Sequence, residues 1–173
     1  MNGFDLAREL SSRADRIIVS LFQKSFREDR GAWCLAALGG YGRRELCPFS
    51  DLDLLFLVDR CTSLPEIERV LKDMLYPLWD TGIDAGYSVR TLRQAVDDAG
   101  TDFFFCTSLL DARHLCGSED LFRKFARAVV SARPLKRPGR FISDLLSHTR
   151  RRHEKYGDTS YFLEPHIKDG HGG

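Results

Sequence analysis

The sequence lacks several features that would assign a protein to a broad class at once. No apolar run reaches the length that spans a membrane, and no charged-then-apolar start typical of a secretion signal occurs in the 173 residues. The formal net charge is only +1, so overall charge indicates no particular class of partner. These absences predict a cytoplasmic protein that does not associate with membranes.

Patterns for metal clusters and disulfide frameworks are equally scarce. The five cysteines are odd in number and include no C-x-x-C pair, and the five histidines include no H-E-x-x-H motif. We interpret the cysteines as reduced thiols, the alternatives being disulfides or zinc ligands. Basic residues cluster over 133–140 and 150–155 without interleaved aromatic residues, which is typical of solvated helices and linkers. We therefore predict no nucleic-acid partner.

What is present is a helix, then an α/β half, then a helical half, with a boundary near residue 100. Apolar spacing and turn residues predict a tight turn with a short helix over 39–46 and the start of a helix over 92–96. They also predict helices over 4–28, 65–79, 102–115, 119–130 and 141–156, and strands over 33–38, 52–58 and 83–90. The corresponding domain limits are 1–30, 31–100 and 101–173. Because the chain stops within a glycine cluster at residues 170–173, we expect it to be truncated there.

The most informative segment is an acid pair that opens an apolar run. Asp51 and Asp53 flank Leu52, and residues 54–58 are all apolar. Alternate residues of a strand point to the same face, about 6.6 Å apart along it, so both carboxylates would point together. Divalent cations remove their mutual repulsion, and Mg²⁺ prefers carboxylates combined with substrate phosphates. The pair predicts metal-assisted chemistry on a nucleotide phosphate; the alternatives are a turn cap at Asp51 and a solvated strand edge at Asp53.

Two features beside the acid pair favour the same chemistry. Ser50 precedes it and offers a hydroxyl to a phosphate, and Gly39 and Gly40 lie eleven to twelve residues before it. Glycines let backbone N–H groups approach a ligand closely, and a helix that starts after them points its free N–H groups toward a phosphate. The segment is neither a Walker loop nor G-x-G-x-x-G, so an ordinary tight turn is the alternative.

Together, G-G-x-G-R-x-E-L followed by S-D-x-D resembles the nucleotidyltransferase domain of the DNA polymerase β superfamily. Later segments are similar to the bacterial PII uridylyltransferase/uridylyl-removing enzymes. These segments are residues 78–91 (LWDTGIDAGYSVRT), 109–113 (LLDAR) and 161–173 (YFLEPHIKDGHGG). The likeness covers nearly all of the chain from about residue 33. It implies an α/β (α+β) fold, in which a small mixed sheet with flanking helices is followed by a helical segment.

The resemblance also implies an activity and a set of site residues. In that family the domain moves UMP from UTP onto a tyrosine of the nitrogen-signalling protein PII and releases pyrophosphate. Two Mg²⁺ ions, or Mn²⁺, would be held by Asp51 and Asp53, and Asp84 is the matching candidate for a third carboxylate, a strand-start aspartate near a turn being its alternative. Gly39 and Gly40 would form the triphosphate cradle. Arg43 and Ser50 are the expected phosphate contacts.

The sequence departs from the family pattern at two positions and leaves other functions open. Arg44 stands where glycine is expected, and His171 where proline is expected. Full members also carry a hydrolytic HD domain and ACT domains, which have no counterpart in these residues, so we expect no uridylyl-removing activity from this chain. The alternatives to UMP transfer are a related signalling nucleotidyltransferase that uses ATP or another acceptor, and a nucleotide-binding regulatory module without turnover.

Overall fold

The computed structural model describes residues 2–26, 33–132 and 136–155. Within these ranges the elements, in chain order, are α1 (Gly3–Ser25), β1 (Trp33–Ala37), α2 (Gly39–Gly42), β2 (Leu52–Val58), α3 (Leu64–Asp80), β3 (Ala85–Thr91), α4 (Leu92–Thr101), α5 (Phe103–Leu110), β4 (Arg113–Gly117), α6 (Glu119–Ala132) and α7 (Pro138–Lys155).

The four described strands form one mixed sheet in the order β3-β2-β1-β4. Strand β1 pairs antiparallel with both β2 and β4, whereas β2 and β3 are parallel. The parallel pair requires a crossover connection, and α3 provides it. Because β2 and β3 run in the same direction, the residues that precede them lie at the same end of the sheet.

Both faces of the central strands are buried. Leu35 of β1 and Phe56 of β2 lie on one face, where they share a core cluster with Ile18 of α1 and Met74 of α3. The alternate residues, among them Leu55 and Leu57 of β2, are fully buried on the other face, and α6 contacts β1. Because both faces of β2 are covered, nearly all of its residues are apolar. Asp53 is the one polar residue of this strand.

Local signals explain several element boundaries. Asn2 and Asp5 form a capping box at the start of α1, and Thr91 and Gln94 form another at the start of α4. Pro65 occupies the first turn of α3, as predicted. Ser118 accepts a hydrogen bond from the backbone N–H of Leu121 (3.2 Å) and so caps α6, which was also expected.

The helix predicted over residues 102–115 is wrong in its last part. The helix ends at Leu110, and Arg113–Gly117 is strand β4, paired with β1. The side of β1 that does not pair with β2 offers backbone hydrogen bonds to this segment, which local periodicity cannot reveal. This pairing overrides the helical spacing of the apolar residues. At Gly117 φ is +85°, and a Cβ there would collide with the carbonyl oxygen of Trp33, so glycine is required where the two strands approach.

The chain divides into two compact units, residues 1–132 and 133–173. All four described strands and helices α1 to α6 belong to the first unit, and α7 belongs to the second. The limits predicted from sequence at residues 30 and 100 stay a prediction, although the sheet takes its fourth strand from beyond residue 100. Among the described helices, none is both long enough and apolar enough to cross a membrane.

Candidate active site

Asp53 is the exposed exception in a buried strand. Every other residue of β2 is buried, and the pleat places Asp53 on the same face as Leu55. Its carboxylate lies between two glycines: a Cβ on Gly39 would be 3.4 Å from Oδ2, and a Cβ on Gly86 would be 3.4 Å from Oδ1. Any larger residue at either position would occupy the space beside these oxygens, so the two glycines keep the carboxylate accessible.

The parallel pairing of β2 and β3 brings the other two predicted acids to the same end of the sheet. Asp51 is half-buried directly before β2, and Asp84 is exposed directly before β3. The backbone N–H of Leu52 donates to the carbonyl oxygen of Asp84 (2.9 Å), and Leu52 is paired with Ala85. The backbone therefore brings Asp51, Asp53 and Asp84 to the same end of the sheet.

The carboxylate oxygens at this end of the sheet suit a magnesium ion that is also bound by the phosphates of a nucleotide. No group of three or more His, Cys, Asp or Glu side chains in the described part of the chain could hold a metal ion by itself, so Asp51, Asp53 and Asp84 do not form a ready metal cage. Magnesium needs no such cage, because it keeps several waters and binds through one or two carboxylates plus substrate phosphates. The exposed carboxylate of Asp53, together with Asp51 two residues away, matches that requirement. The residues present fit the ion.

The two predicted cradle glycines begin α2, one turn of helix between β1 and the loop that leads to the acid pair. Gly39 has φ +54°, a conformation that residues with a side chain rarely adopt. The backbone N–H of Leu38 donates to the carbonyl oxygen of Asp53 (2.9 Å), which joins the turn directly to β2. The first amides of such a turn have no partner within the helix, so they are suited to contact an anion beside Asp53.

Arg43 and Ser50, the predicted phosphate contacts, are exposed but engaged within the chain. Arg43 donates to Glu45 Oε2 (2.7 Å) and to Asp111 Oδ2 (2.5 Å), and these interactions, that with Glu45 first, raise the pKa of the guanidinium. The hydroxyl of Ser50 donates to the carbonyl oxygen of Cys47 (2.8 Å). A phosphate must therefore compete with these partners for either side chain.

Helix α2 (Gly39–Gly42), which we call the glycine turn, has further neighbours on α1 and β4 that sequence reasoning missed. Arg113 of β4 forms a bidentate ion pair with Asp15 of α1 (2.9 and 3.0 Å). It also donates to the carbonyl oxygens of Gly42 (3.1 Å) and Tyr41 (3.2 Å). Burial, followed by the proximity of Asp15, raises the pKa of Tyr41, so its phenol stays protonated. The only signal in the sequence was that residues 109–113 resemble the family.

The basic clusters show no site in the part of the chain that can be described. Lys136, Arg137, Arg140 and Arg150 are exposed, which agrees with their interpretation as solvated surface. Arg133 and the whole segment 156–173, including His171, lie outside the described residues, and so do the side chains of Arg152 and His153. The predicted departure at His171 therefore has no structural account.

Comparisons with known proteins agree with the resemblance predicted from sequence. A family model described as "GlnD PII-uridylyltransferase" matches residues 140–173. A bifunctional uridylyltransferase/uridylyl-removing enzyme from Gluconobacter oxydans is 35% identical over 100% of this chain, and one from Azospirillum brasilense is 38% identical over 94% of it. A third enzyme of the same name, from Haemophilus influenzae, is 37% identical over 98% of the chain. The predicted resemblance is confirmed.

These matches cover nearly all of this chain but only a small part of each relative. The chain spans 18% of the Gluconobacter enzyme, 17% of the Azospirillum enzyme and 20% of the Haemophilus enzyme. Among solved structures, "Crystal structure of the toxin-antitoxin with AMP-PNP" aligns with a TM-score of 0.48 and 15% identity, covering 76% of this chain and 98% of that one. The predicted fold class, a small mixed sheet with flanking helices, is confirmed by the sheet and helices described above.

Proposed function

Since this chain is related along its whole length to the bifunctional uridylyltransferase/uridylyl-removing enzymes, we propose that it transfers UMP from UTP to a tyrosine of a PII-type signalling protein. In this reaction the tyrosine oxygen bonds to the α-phosphorus of UTP, the bond to the β-phosphate oxygen breaks, and pyrophosphate leaves. The observation that carries the proposal is the exposed carboxylate of Asp53, which lies between Gly39 and Gly86 at the start of a buried strand.

Each residue of the site has a part in this proposal. Asp51 and Asp53 would hold two Mg²⁺ ions, or Mn²⁺, with Asp84 as the third carboxylate. When bound, the ions neutralise charge on the phosphates and on the departing pyrophosphate. In this proposal Asp84 would also accept the proton of the tyrosine hydroxyl as the new bond forms.

The remaining residues bind and orient the triphosphate. The backbone amides at Gly39 and Gly40 contact its oxygens, because neither residue has a side chain that keeps them at a distance. Ser50 and Arg43 exchange their present partners, Cys47 and the carboxylates of Glu45 and Asp111, for phosphate oxygens. A guanidinium is charged at any physiological pH, so Arg43 keeps its charge for this contact.

The test is transfer of label from each α-labelled nucleoside triphosphate to PII in the presence of Mg²⁺. Label on PII from UTP alone supports the proposal. Label from ATP alone supports a related signalling nucleotidyltransferase, and binding of a triphosphate by the full-length protein without any transfer supports a regulatory module. In either of the latter cases UMP transfer to PII is rejected.

A pair of variants tests whether the reaction takes place at the end of the sheet where Asp51, Asp53 and Asp84 lie. Asp53→Asn removes one negative charge from the proposed metal site, and we expect transfer to be abolished while the circular dichroism spectrum is unchanged. Asp59→Asn is the matched control, since Asp59 is exposed at the opposite end of the same strand. Retained turnover in Asp53→Asn, or equal loss in both variants, would count against the site.

A further inference from the structure

Arg113 connects three separate parts of the first unit. Its guanidinium lies on β4, pairs with Asp15 on α1 through two hydrogen bonds, and donates to the carbonyl oxygens of Tyr41 and Gly42 in α2. Its carbon Cζ also lies 5.4 Å from the centre of the Tyr41 ring. The ion pair is only about one-fifth exposed, at 20% for Arg113 and 21% for Asp15, so water screens it weakly.

The glycine turn needs contacts of this kind, because it cannot fix its own position. Helix α2 has four residues, and a single helical turn is unstable in isolation. Two of its first three residues are glycines and make no side-chain contact that would anchor them. Its place beside Asp53 must therefore be set by neighbouring elements.

Residues 111–113 supply several such contacts from one side. Asp111 accepts a hydrogen bond from Arg43, directly after the turn. Gly42 lies so close to the carbonyl oxygen of Asp111 that a Cβ would collide with it. Arg113 completes the set through the carbonyl oxygens of Gly42 and Tyr41. This segment, which the sequence singled out as LLDAR without a role, faces the turn opposite Asp53.

We infer that Arg113 is a positioning residue of the nucleotide site: anchored by Asp15, it holds the glycine turn at a fixed place against Asp53. The inference rests on the proposed function and adds a residue that does not touch the substrate. A lysine cannot replace it, since one ammonium group does not reach a carboxylate and two carbonyl oxygens in a fixed fork.

The first measurement needs no nucleotide. Amide hydrogen exchange of the full chain is followed by NMR at Gly42 and Arg43, whose N–H groups donate to Leu38 and Gly39. In Arg113→Lys we expect exchange at these two amides to accelerate by about tenfold or more, the loss expected for hydrogen bonds to a charged group. Amides of β2 should keep their wild-type rates. Asp15→Asn, which keeps the bonds from Arg113 to the turn, should give a smaller change in the same place.

The second measurement is the Kd for UTP with Mg²⁺, and the control is Arg69→Lys. Arg69 of α3 also joins α1 to another element, through the backbone carbonyl of Ser25 (2.9 Å), and it pairs with Asp73 of its own helix (3.2 Å); neither partner belongs to the glycine turn. We expect Arg113→Lys to weaken binding by about tenfold. Arg69→Lys should leave both the Kd and the exchange at Gly42 unchanged, although it removes similar contacts.

The outcomes separate the two proposals. Unchanged exchange at Gly42 and Arg43, an equal acceleration throughout the sheet, or faster exchange with an unchanged Kd would each overturn the role of Arg113. If the wild-type chain itself binds no UTP, the proposed function fails, and the exchange rates at Gly42 and Arg43 still decide whether Arg113 fixes the turn.

Discussion

At the residue scale, the loop between the glycine turn and the acid pair contains two unfavourable backbone conformations. Arg44 and Phe49 have φ of 62° and 66°, which residues with a Cβ adopt at a cost of about 1–2 kcal/mol. Phe49 is in addition fully exposed. A positive φ favours glycine, so the expectation of glycine at position 44 has a physical reason in the backbone conformation found there.

Replacing Arg44 by glycine should relieve this strain. We expect Arg44→Gly to raise the free energy of unfolding by up to about 1 kcal/mol, the steric gain being reduced by the greater freedom of glycine in the unfolded chain. Urea unfolding measures the change. Arg127→Gly is the control, because Arg127 is exposed in the interior of α6 and the same substitution should there destabilise by about 1 kcal/mol. Equal losses in both variants would contradict the account.

The cysteines also differ residue by residue. All five are free thiols, as predicted; Cys47 and Cys61 are exposed, whereas Cys34 and Cys106 are buried. Burial raises the pKa of Cys34 and of Cys116 to about 12. At pH 8 we expect a thiol reagent to modify Cys47 and Cys61 first, with mass spectrometry locating the label. Rapid modification of Cys34 in the folded chain would contradict its burial.

The raised pKa values of Cys34 and Cys116 predict that stability depends on pH. The folded state retains the protons of these thiols more strongly than the unfolded state, in which the pKa of a thiol is about 8.5. Their contribution to stability is therefore fully present below that pH and is lost as the pH rises toward 12. Unfolding midpoints in urea should fall between pH 8 and pH 10. A midpoint that rises over this interval would contradict the expectation.

At the element scale, α2 is packed tightly on one side and open on the other. A Cβ on Gly42 would collide with the carbonyl oxygen of Asp111, whereas a Cβ on Gly40 would have its nearest neighbour at 3.8 Å. The two glycines thus have different reasons to be small. Gly42 allows the turn to contact the segment before β4, and Gly40 leaves space on the side proposed for the triphosphate.

Alanine at these two positions should have opposite effects on stability. We expect Gly42→Ala to destabilise the fold by about 1–3 kcal/mol, the usual cost of overpacking. Gly40→Ala should be neutral or stabilise by up to about 1 kcal/mol, since alanine favours a helix more than glycine does. Thermal unfolding of both variants tests the difference. A Gly42→Ala variant as stable as Gly40→Ala would show that the turn does not pack against Asp111 in solution.

At the scale of the whole molecule, the first unit contains everything that a cooperative core requires. The cluster of buried residues from α1, α3 and the sheet lies within residues 1–132, and so do both tryptophans. The buried residues of α4, α5 and α6 also belong to this unit.

A chain shortened to residues 1–132 should therefore fold. We expect a single cooperative transition, followed by tryptophan fluorescence from Trp33 and Trp79, with a midpoint in urea close to that of the full chain. A gradual, non-cooperative change in the shortened chain would show that the core also depends on residues 133–173.

The sequence alone determined the features that depend on neighbouring residues. The apolar run of β2 interrupted by Asp53, the proline at the start of α3 and the serine cap of α6 were all predicted, because periodicity and capping act over a few positions. The sequence also predicted, from strand spacing, that Asp51 and Asp53 point together, whereas the addition of Asp84 was expected only from a resemblance.

Only the tertiary structure decided what joins distant parts of the chain. Arg113 meets Asp15 across 98 residues, and Arg43 meets Asp111 across 68. Residues 113–115, the first part of strand β4, were predicted as helix, because the hydrogen bonds of this strand are made to β1 and its own local pattern permits either structure. Contacts of this kind depend on which elements lie side by side, and no local sequence pattern contains that information. The chain thus shows its acidic pair in the sequence and its means of holding the glycine turn only in the fold.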